Sequence, residues 1–190
     1  GPNGKKQVYD FKRFQDAALS YQPHLIIFSD IGPHIRWIGN ENGIINEQAD
    51  LWIISRLNQT IKKCEEEFEQ FEYSKSRQAI EDFFWNDFCD NYLEITKTRA
   101  YNENGEDDEG ALSTHLTLYH TLKTLLQLFA PIVPHITEEL FHILYAKDNL
   151  ESIHMRGSWP NVREAKFTDI DETKSEDLLE ILELVRKIKA

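Results

Sequence analysis

The chain is short of the residues that break helices or staple folds: among 190 residues there are eight glycines, six prolines, two cysteines and one methionine. So few breakers make a mostly helical chain the default. Cys64 and Cys89 lack the C-x-x-C spacing of a metal or redox motif and fall on predicted helices, so they read as free buried thiols of a reducing compartment, the cytoplasm. No run approaches the ~18 apolar residues of a membrane span, and no signal peptide is present, so no membrane partner is expected. A basic excess is missing as well. With 21 Lys and Arg against 33 Asp and Glu, the net charge is −12. That excludes a general nucleic-acid-binding surface and confines any RNA contact to a local patch, with acidic faces turned away. There is no HExxH, P-loop or GxGxxG, and the seven histidines form no ligand pairs at i, i+4. His135 follows Pro134 at a helix start, where a capping or packing role outweighs a metal role. No catalytic residue, metal ligand or cofactor site can be named. The chain does not begin with Met, which reads as a fragment or a trimmed product.

What is present is helical periodicity. Hydrophobic residues make up 41% of the chain, enough to build a core. The stretch 73–101, YSKSRQAIEDFFWNDFCDNYLEITKTRAY, carries Ile80, Phe83, Phe84, Phe88, Tyr92 and Ile95 at steps of three and four. Trp85, Cys89 and Leu93 form a second row, so the helix is apolar on more than one side and must sit between other helices. Ser74 is the predicted N-cap. Before it, Leu51, Ile54, Leu57, Ile61, Cys64, Phe68 and Phe71 form an unbroken core stripe, while Glu65, Glu66, Glu67 and Glu69 form a solvated face. Residues 102–110, with Gly, Asn and five acids, predict an exposed loop. A third helix over 111–130 is apolar around most of its circumference. Pro131 and Pro134 break it, and a fourth helix starts at PHITEELFHILY with Glu138 and Glu139 in its first turn. A last amphipathic helix carries Leu178, Ile181, Leu182, Val185 and Ile188 behind a capping box of Thr173 and Glu176. Residues 1–43 read differently: a short helix over 10–19, an apolar strand over 25–30 and a loop over 32–43, one helix–strand piece of an α/β protein with no partner strand in this chain.

Two resemblances follow. FFWNDFCDNYLEITKTR resembles the signature helix of the anticodon-binding domain of valyl-tRNA synthetases, which reads (F/V)W-x-(D/E)-F-C-D-x-Y-(L/I)-E. Asp50, Trp52, Ile53, Ser55, Arg56, Leu57 and Asn58 resemble the family's D-x-W-I-x-S-R-L-N. A-P-x-x-P-H-x-x-E-E-L is similar to a feature shared by the valine, leucine, isoleucine and cysteine enzymes. Ser152-Ile153-His154 with Trp159-Pro160 is similar to the stretch that follows the bundle in valine enzymes, and the VRKIKA ending resembles the start of their C-terminal extension. The second resemblance covers 1–43. GPNGKKQVYDF and QPHLIIFSDIGPHIRWIGNENG resemble a barrel segment of alpha-L-fucosidase family glycosidases, with His34 where that family has Asp. It names no catalytic pair, because a retaining glycosidase needs two carboxylates about 5 Å apart. Asp30 and Glu41 read as loop residues.

The fold expected is therefore mainly α, a helical bundle of the class I synthetase anticodon-binding type, with an N-terminal helix–strand appendage from an α/β barrel family. The expected divisions are 1–43 (fucosidase-like), 44–160 (bundle) and 161–190 (linker and start of a C-terminal extension). The resemblance implies a valine tRNA as partner and ATP as a cofactor of the parent enzyme only. The HIGH and KMSKS nucleotide signatures are absent, so the chain is expected to be inactive as a ligase by itself. The RNA-contacting candidates are Leu93, by family position, and five cations: Lys75 and Arg77 at the start of the second helix, Lys97 and Arg99 at its end, and Lys123 on the third. The family's R-N-F-x-N-K-L-W-N-x-x-R-F helix, expected to carry much of the anticodon contact, is missing. The fucosidase-like piece stands in its place. A glycosidase fragment, a helical protein-interaction module and a non-functional fusion are the alternatives, and the sequence sets no oligomeric state.

Overall fold

The structure is a computed structural model, described here for residues 45–102, 105, 107–145, 152–156 and 159–162. The predicted helix and strand of 1–43 and the predicted helix of 173–190 lie outside these residues. Among the described residues the regular structure is entirely helical, in agreement with the mainly α expectation, and no helix is long and apolar enough to cross a membrane.

Helix α1 (Gln48–Glu69) follows from its stripe: Ile54, Leu57, Ile61 and Cys64 are buried, with Ile53 beside them at 0% exposure. Each such aliphatic side chain contributes roughly 1.5–3 kcal/mol on burial. The stripe runs out sooner than its spacing predicts. Phe71, read as its last core residue, is 78% exposed. The reason is a C-terminal turn: Phe71 N–H bonds to the Phe68 carbonyl (3.0 Å) and Glu72 N–H to the Glu67 carbonyl (2.8 Å), with Phe71 at φ 59°. That is a Schellman turn carrying a phenylalanine where glycine is usual.

Helix α2 (Tyr73–Asp82) then returns along α1. Its N-cap is Glu72 rather than Ser74, and no side chain caps it. It passes without a break into a π-helical segment, Phe83–Tyr92, and then into α3 (Leu93–Tyr101). The sequence predicts one plain α-helix here. In the structure the Leu93 N–H reaches the Phe88 carbonyl five residues back, and Asn91 Nδ2 donates to the Asn86 carbonyl (2.8 Å). Wider turns bring residues four apart nearly into line. Accordingly, Phe88 stacks on Tyr92 with centroids 6.0 Å apart and planes 17° off parallel. Phe83, Phe84, Phe88, Cys89 and Tyr92 are buried, and that burial offsets the poorer hydrogen-bond geometry.

Helix α4 (Asp108–Phe129) starts three residues earlier than predicted, because the Asp107 carboxylate accepts from Gly110 N–H at 2.9 Å. It is the central helix, packed on α1, α2, α3 and α5, with Leu116, Leu125, Leu126 and Leu128 almost fully buried. Helix α5 (Pro134–Tyr145) begins at its proline, as predicted, which leaves Glu138 and Glu139 in the second turn rather than the first. Tyr145 donates to the Tyr119 carbonyl at 3.0 Å, pinning α5 to α4. A short α6 (Ile153–Arg156), capped by Ser152 Oγ, rests on α5.

Candidate nucleic-acid interface

The antiparallel return of α2–α3 along α1 decides where the six candidate residues lie. Lys75 and Arg77 sit beside the C-terminal end of α1, and Lys97 and Arg99 beside its N-terminal end. Twenty helical residues from Arg77 to Lys97 place the pairs on the order of 30 Å apart. The fold therefore does not gather the six into one cluster.

Their surroundings differ too. Lys75 is exposed, 3.4 Å from Glu72 and 4.0 Å from Glu67. Arg77 pairs with Glu81 at 3.1 Å, and Lys97 with Glu94 at 2.9 Å. Apart from the long Lys75–Glu67 contact, these are local i, i+3 and i, i+4 pairs near the surface, worth only a few tenths of a kcal/mol, so phosphate competes for the cations easily. Lys123, half-buried on α4, makes no hydrogen bond or ion pair among the described residues. Leu93 and Arg99 are turned inward. Leu93 is 5% exposed and packs in the core.

Arg99 belongs to a polar centre that sequence reasoning missed. Asp50, at 0% exposure, accepts from Ser113 Oγ (2.6 Å), Tyr92 Oη (2.8 Å) and Arg99 Nη2 (2.8 Å). Thr114 Oγ1 lies 3.3 Å from Asp50 and accepts from Arg99 Nε at 2.7 Å. Arg99 Nη1 donates to Glu47 at 3.0 Å. One carboxylate thus ties α1, the π segment, α3 and α4. Burial pushes Asp50 above its ordinary 3.8, against the downward pull of Ser113, the Arg99 charge and Tyr92. Burial, then the Asp50 charge, pushes Tyr92 well above 10.0. His115 donates through Nε2 to the Ala100 carbonyl at 2.7 Å, and burial lowers its pKa, so the ring is neutral. The available signal was a set of polar residues standing on otherwise apolar faces: Asp50, Tyr92, Ser113 and Thr114.

A second feature unseen in the sequence is an open groove of about 330 Å³ between α1 and the α2–π junction. Ala79 and Phe83, both buried, are the apolar residues of its lining. Arg56 spans one end, donating from Nε to Asp87 (3.1 Å) and from Nη1 to Gln59 (3.2 Å). Burial pushes Asp87 up, against the pull of the Arg56 charge. Among the described residues no group of three or more His, Cys, Asp or Glu side chains could hold a metal ion.

Comparison with known proteins agrees with the bundle. The family described as "Anticodon-binding domain of tRNA ligase" matches residues 50–190. The "Valine--tRNA ligase" of Rickettsia rickettsii (strain Sheila Smith) is 47% identical over 146 residues, 77% of this chain and 18% of that protein. Those of Rickettsia felis and Rickettsia canadensis are 42% and 46% identical over 188 residues, 99% of this chain and 21% and 22% of theirs. The last two matches therefore reach into residues 1–43. The chain spans about a fifth of the length of these curated relatives. A family match over most of the chain, on a helical bundle built around the residues that carry the motif, settles the assignment: the chain belongs to the family of anticodon-binding domains of tRNA ligases.

Proposed function

We propose that this chain is the tRNA-docking part of a valine–tRNA ligase. It holds the anticodon arm of a valine tRNA so that the distant 3′ end reaches the catalytic domain of the whole enzyme, where ATP is used, in the cytoplasm. The observation that carries this reading is the family match over residues 50–190, together with relatives named as valine–tRNA ligases. The bundle proper is assigned to residues 44–160. Unstacked loop bases bind such surfaces by stacking and edge hydrogen bonds, and the phosphates need a few cations. Lys97 and Lys123, with Lys75 and Arg77 on the far end, are the proposed phosphate contacts. Arg99 and Leu93 act as positioning residues that fix the α3 backbone from within.

The test is fluorescence anisotropy of a labelled valine tRNA against a non-cognate tRNA at two salt concentrations. Saturable binding that prefers the valine tRNA and weakens with salt is expected. Lys97→Glu should weaken it, and the far-end pair Lys75→Glu and Arg77→Glu less so. Equal binding of both tRNAs, or none, sinks the proposal. The fucosidase-like segment gives no catalytic pair in this reading, so no hydrolysis of a nitrophenyl fucoside is expected.

A further inference from the structure

We infer that the exposed aromatic corner where α1 turns into α2 is the docking surface for the chain's own amphipathic segment, residues 173–190, which lies outside the described residues. The segment is held there by its apolar face and by the basic stretch of Arg186, Lys187 and Lys189. The inference does not depend on the RNA-docking reading above.

Four rings run in unbroken contact from the edge of the core to solvent. Trp159 packs edge-on against Phe68 with centroids 5.1 Å apart, Phe68 against Tyr73 at 5.3 Å, and Tyr73 against Phe71 at 6.3 Å. The outer two, Tyr73 and Phe71, are 51% and 78% exposed. Single exposed apolar side chains are ordinary on a protein surface, whereas a contiguous group marks an interaction site. The backbone adds a second sign. Phe71 sits at φ 59°, a left-handed conformation that is costly for any residue with a Cβ and that a Schellman turn ordinarily gives to glycine. A ring is thus held out to solvent at the one position of the turn that is best filled without a side chain. Strain kept in this way points to a use for the ring.

Connectivity, length and charge select the occupant. The chain itself runs from α6 onto the corner, since Trp159 packs on Phe68 and Val162 packs against the core. Eleven residues (162 to 173) lead from Val162 to Thr173, a reach of up to about 36–40 Å. As the helix that its spacing predicts, Thr173 to Lys189 measures about 24 Å, so either end of the segment can return to the corner. Charge decides which end does. Glu65 stands one turn before Phe68, and Glu69 and Glu72 follow it, all three exposed. Lys75, beside Glu67 and Glu72, offsets only part of this acidic rim. The segment carries Glu176, Asp177, Glu180 and Glu183 in its first half and its cations Arg186, Lys187 and Lys189 at the other end. The basic end fits the rim, and the acidic half is repelled by it. Val185 and Ile188, neighbours on the apolar face, then meet Tyr73 and Phe71. Attachment within one chain raises the effective concentration to the millimolar range, so a small contact suffices. The same rim repels a polyanion, so an RNA strand does not compete for this corner.

Hydrogen exchange of the full chain, read by mass spectrometry, tests this. Peptides covering 176–185 should exchange about tenfold slower in the parent than in Phe71→Asn with Tyr73→Ala, while peptides from α1, α4 and α5 stay unchanged. Asparagine accepts the left-handed conformation, so the turn survives the loss of the ring. A second variant leaves the bundle untouched: Arg186→Glu, Lys187→Glu and Lys189→Glu together should speed exchange over 176–185 as much, and salt should speed it in the parent. A lone helix of this length is marginal in water, so an undocked segment exchanges nearly as fast as unstructured chain. Exchange at that rate in the parent, or slow exchange that neither variant alters, overturns the inference. Slow exchange that depends on protein concentration assigns the corner to a second copy of the chain and overturns it as well. In urea the segment releases before the bundle unfolds, so the strain at Phe71 is still read separately from the bundle's own transition.

Discussion

Replacing Asp50 separates two things that one carboxylate does in this bundle. As a charge it is costly: burial pushes its pKa up, so desolvation outweighs what the surrounding donors return. As an acceptor it is indispensable, because Tyr92 Oη and Ser113 Oγ both donate to it, and Tyr92 and Ser113 are themselves at 0% exposure. Asp50→Ala orphans these two hydroxyls at about 1–3 kcal/mol each. It also removes a partner of Arg99, but that guanidinium is 21% exposed and keeps Glu47 and Thr114, so its loss is softened. The sum is about 2–6 kcal/mol, which brackets the roughly 3–5 kcal/mol for breaking a buried ion pair by removing one partner. That is a large part of the ~5–15 kcal/mol by which domains are stable. Asp50→Asn sheds the costly charge and keeps one acceptor oxygen, but turns the other oxygen into an NH2 donor facing groups that donate to it, so it should lose about 1–2 kcal/mol. Urea unfolding followed by circular dichroism measures both. The order is parent, Asp50→Asn, then Asp50→Ala. An alanine variant within about 1 kcal/mol of the parent, or an asparagine variant as damaged as the alanine one, refutes the reasoning.

Three further outcomes follow from the same structure. The raised Asp50 pKa means that the folded state binds more protons than the unfolded one above pH 3.8, so this group's contribution is present below that value and fades as pH rises through the folded pKa. Stability measured from pH 4 upward should therefore fall less steeply with pH, or rise more steeply, in Asp50→Asn than in the parent. Burial pushes the Cys89 thiol up to about 12 and raises Cys64, whose Sγ donates to the Ser76 carbonyl at 3.7 Å. Both should resist alkylation at pH 8 in the native protein and react together on unfolding, and fast labelling of either in native buffer contradicts the packing. Phe71→Gly relieves a left-handed residue at φ 59°, and chemical unfolding should show a gain of up to about 1 kcal/mol; a loss means the exposed Phe71–Tyr73 ring contact outweighs the strain.

The helices were legible because their signal is local. Ile54, Leu57, Ile61 and Cys64 sit three and four apart, and Pro134 marks the start of α5 in the sequence itself. The end of α1 was not legible, since its left-handed turn uses Phe71 in place of the glycine that would have marked it. The π segment escaped because apolar steps of four fit i→i+4 and i→i+5 bonding equally, although FFWNDFCDNY crowds five aromatic residues into ten positions. The candidate site fared worse. Arg99 reads as a solvated helix-end charge until its partner Asp50, 49 positions earlier, is brought beside it. Likewise Arg56 and Asp87 are 31 positions apart, and only the antiparallel return of α2 brings them together across one end of the groove. Pairings of this kind are set by tertiary packing, which periodicity does not encode.

The most direct test of the central claim is the affinity of the full chain for two tRNAs identical except for the anticodon, one carrying that of valine. The account predicts that the valine anticodon binds more tightly, and that the difference survives in salt high enough to weaken both, because phosphate contacts are sequence-blind and base contacts are not. Equal affinity for the two molecules would contradict it, leaving a helical bundle of this family that holds RNA, if at all, by its backbone alone.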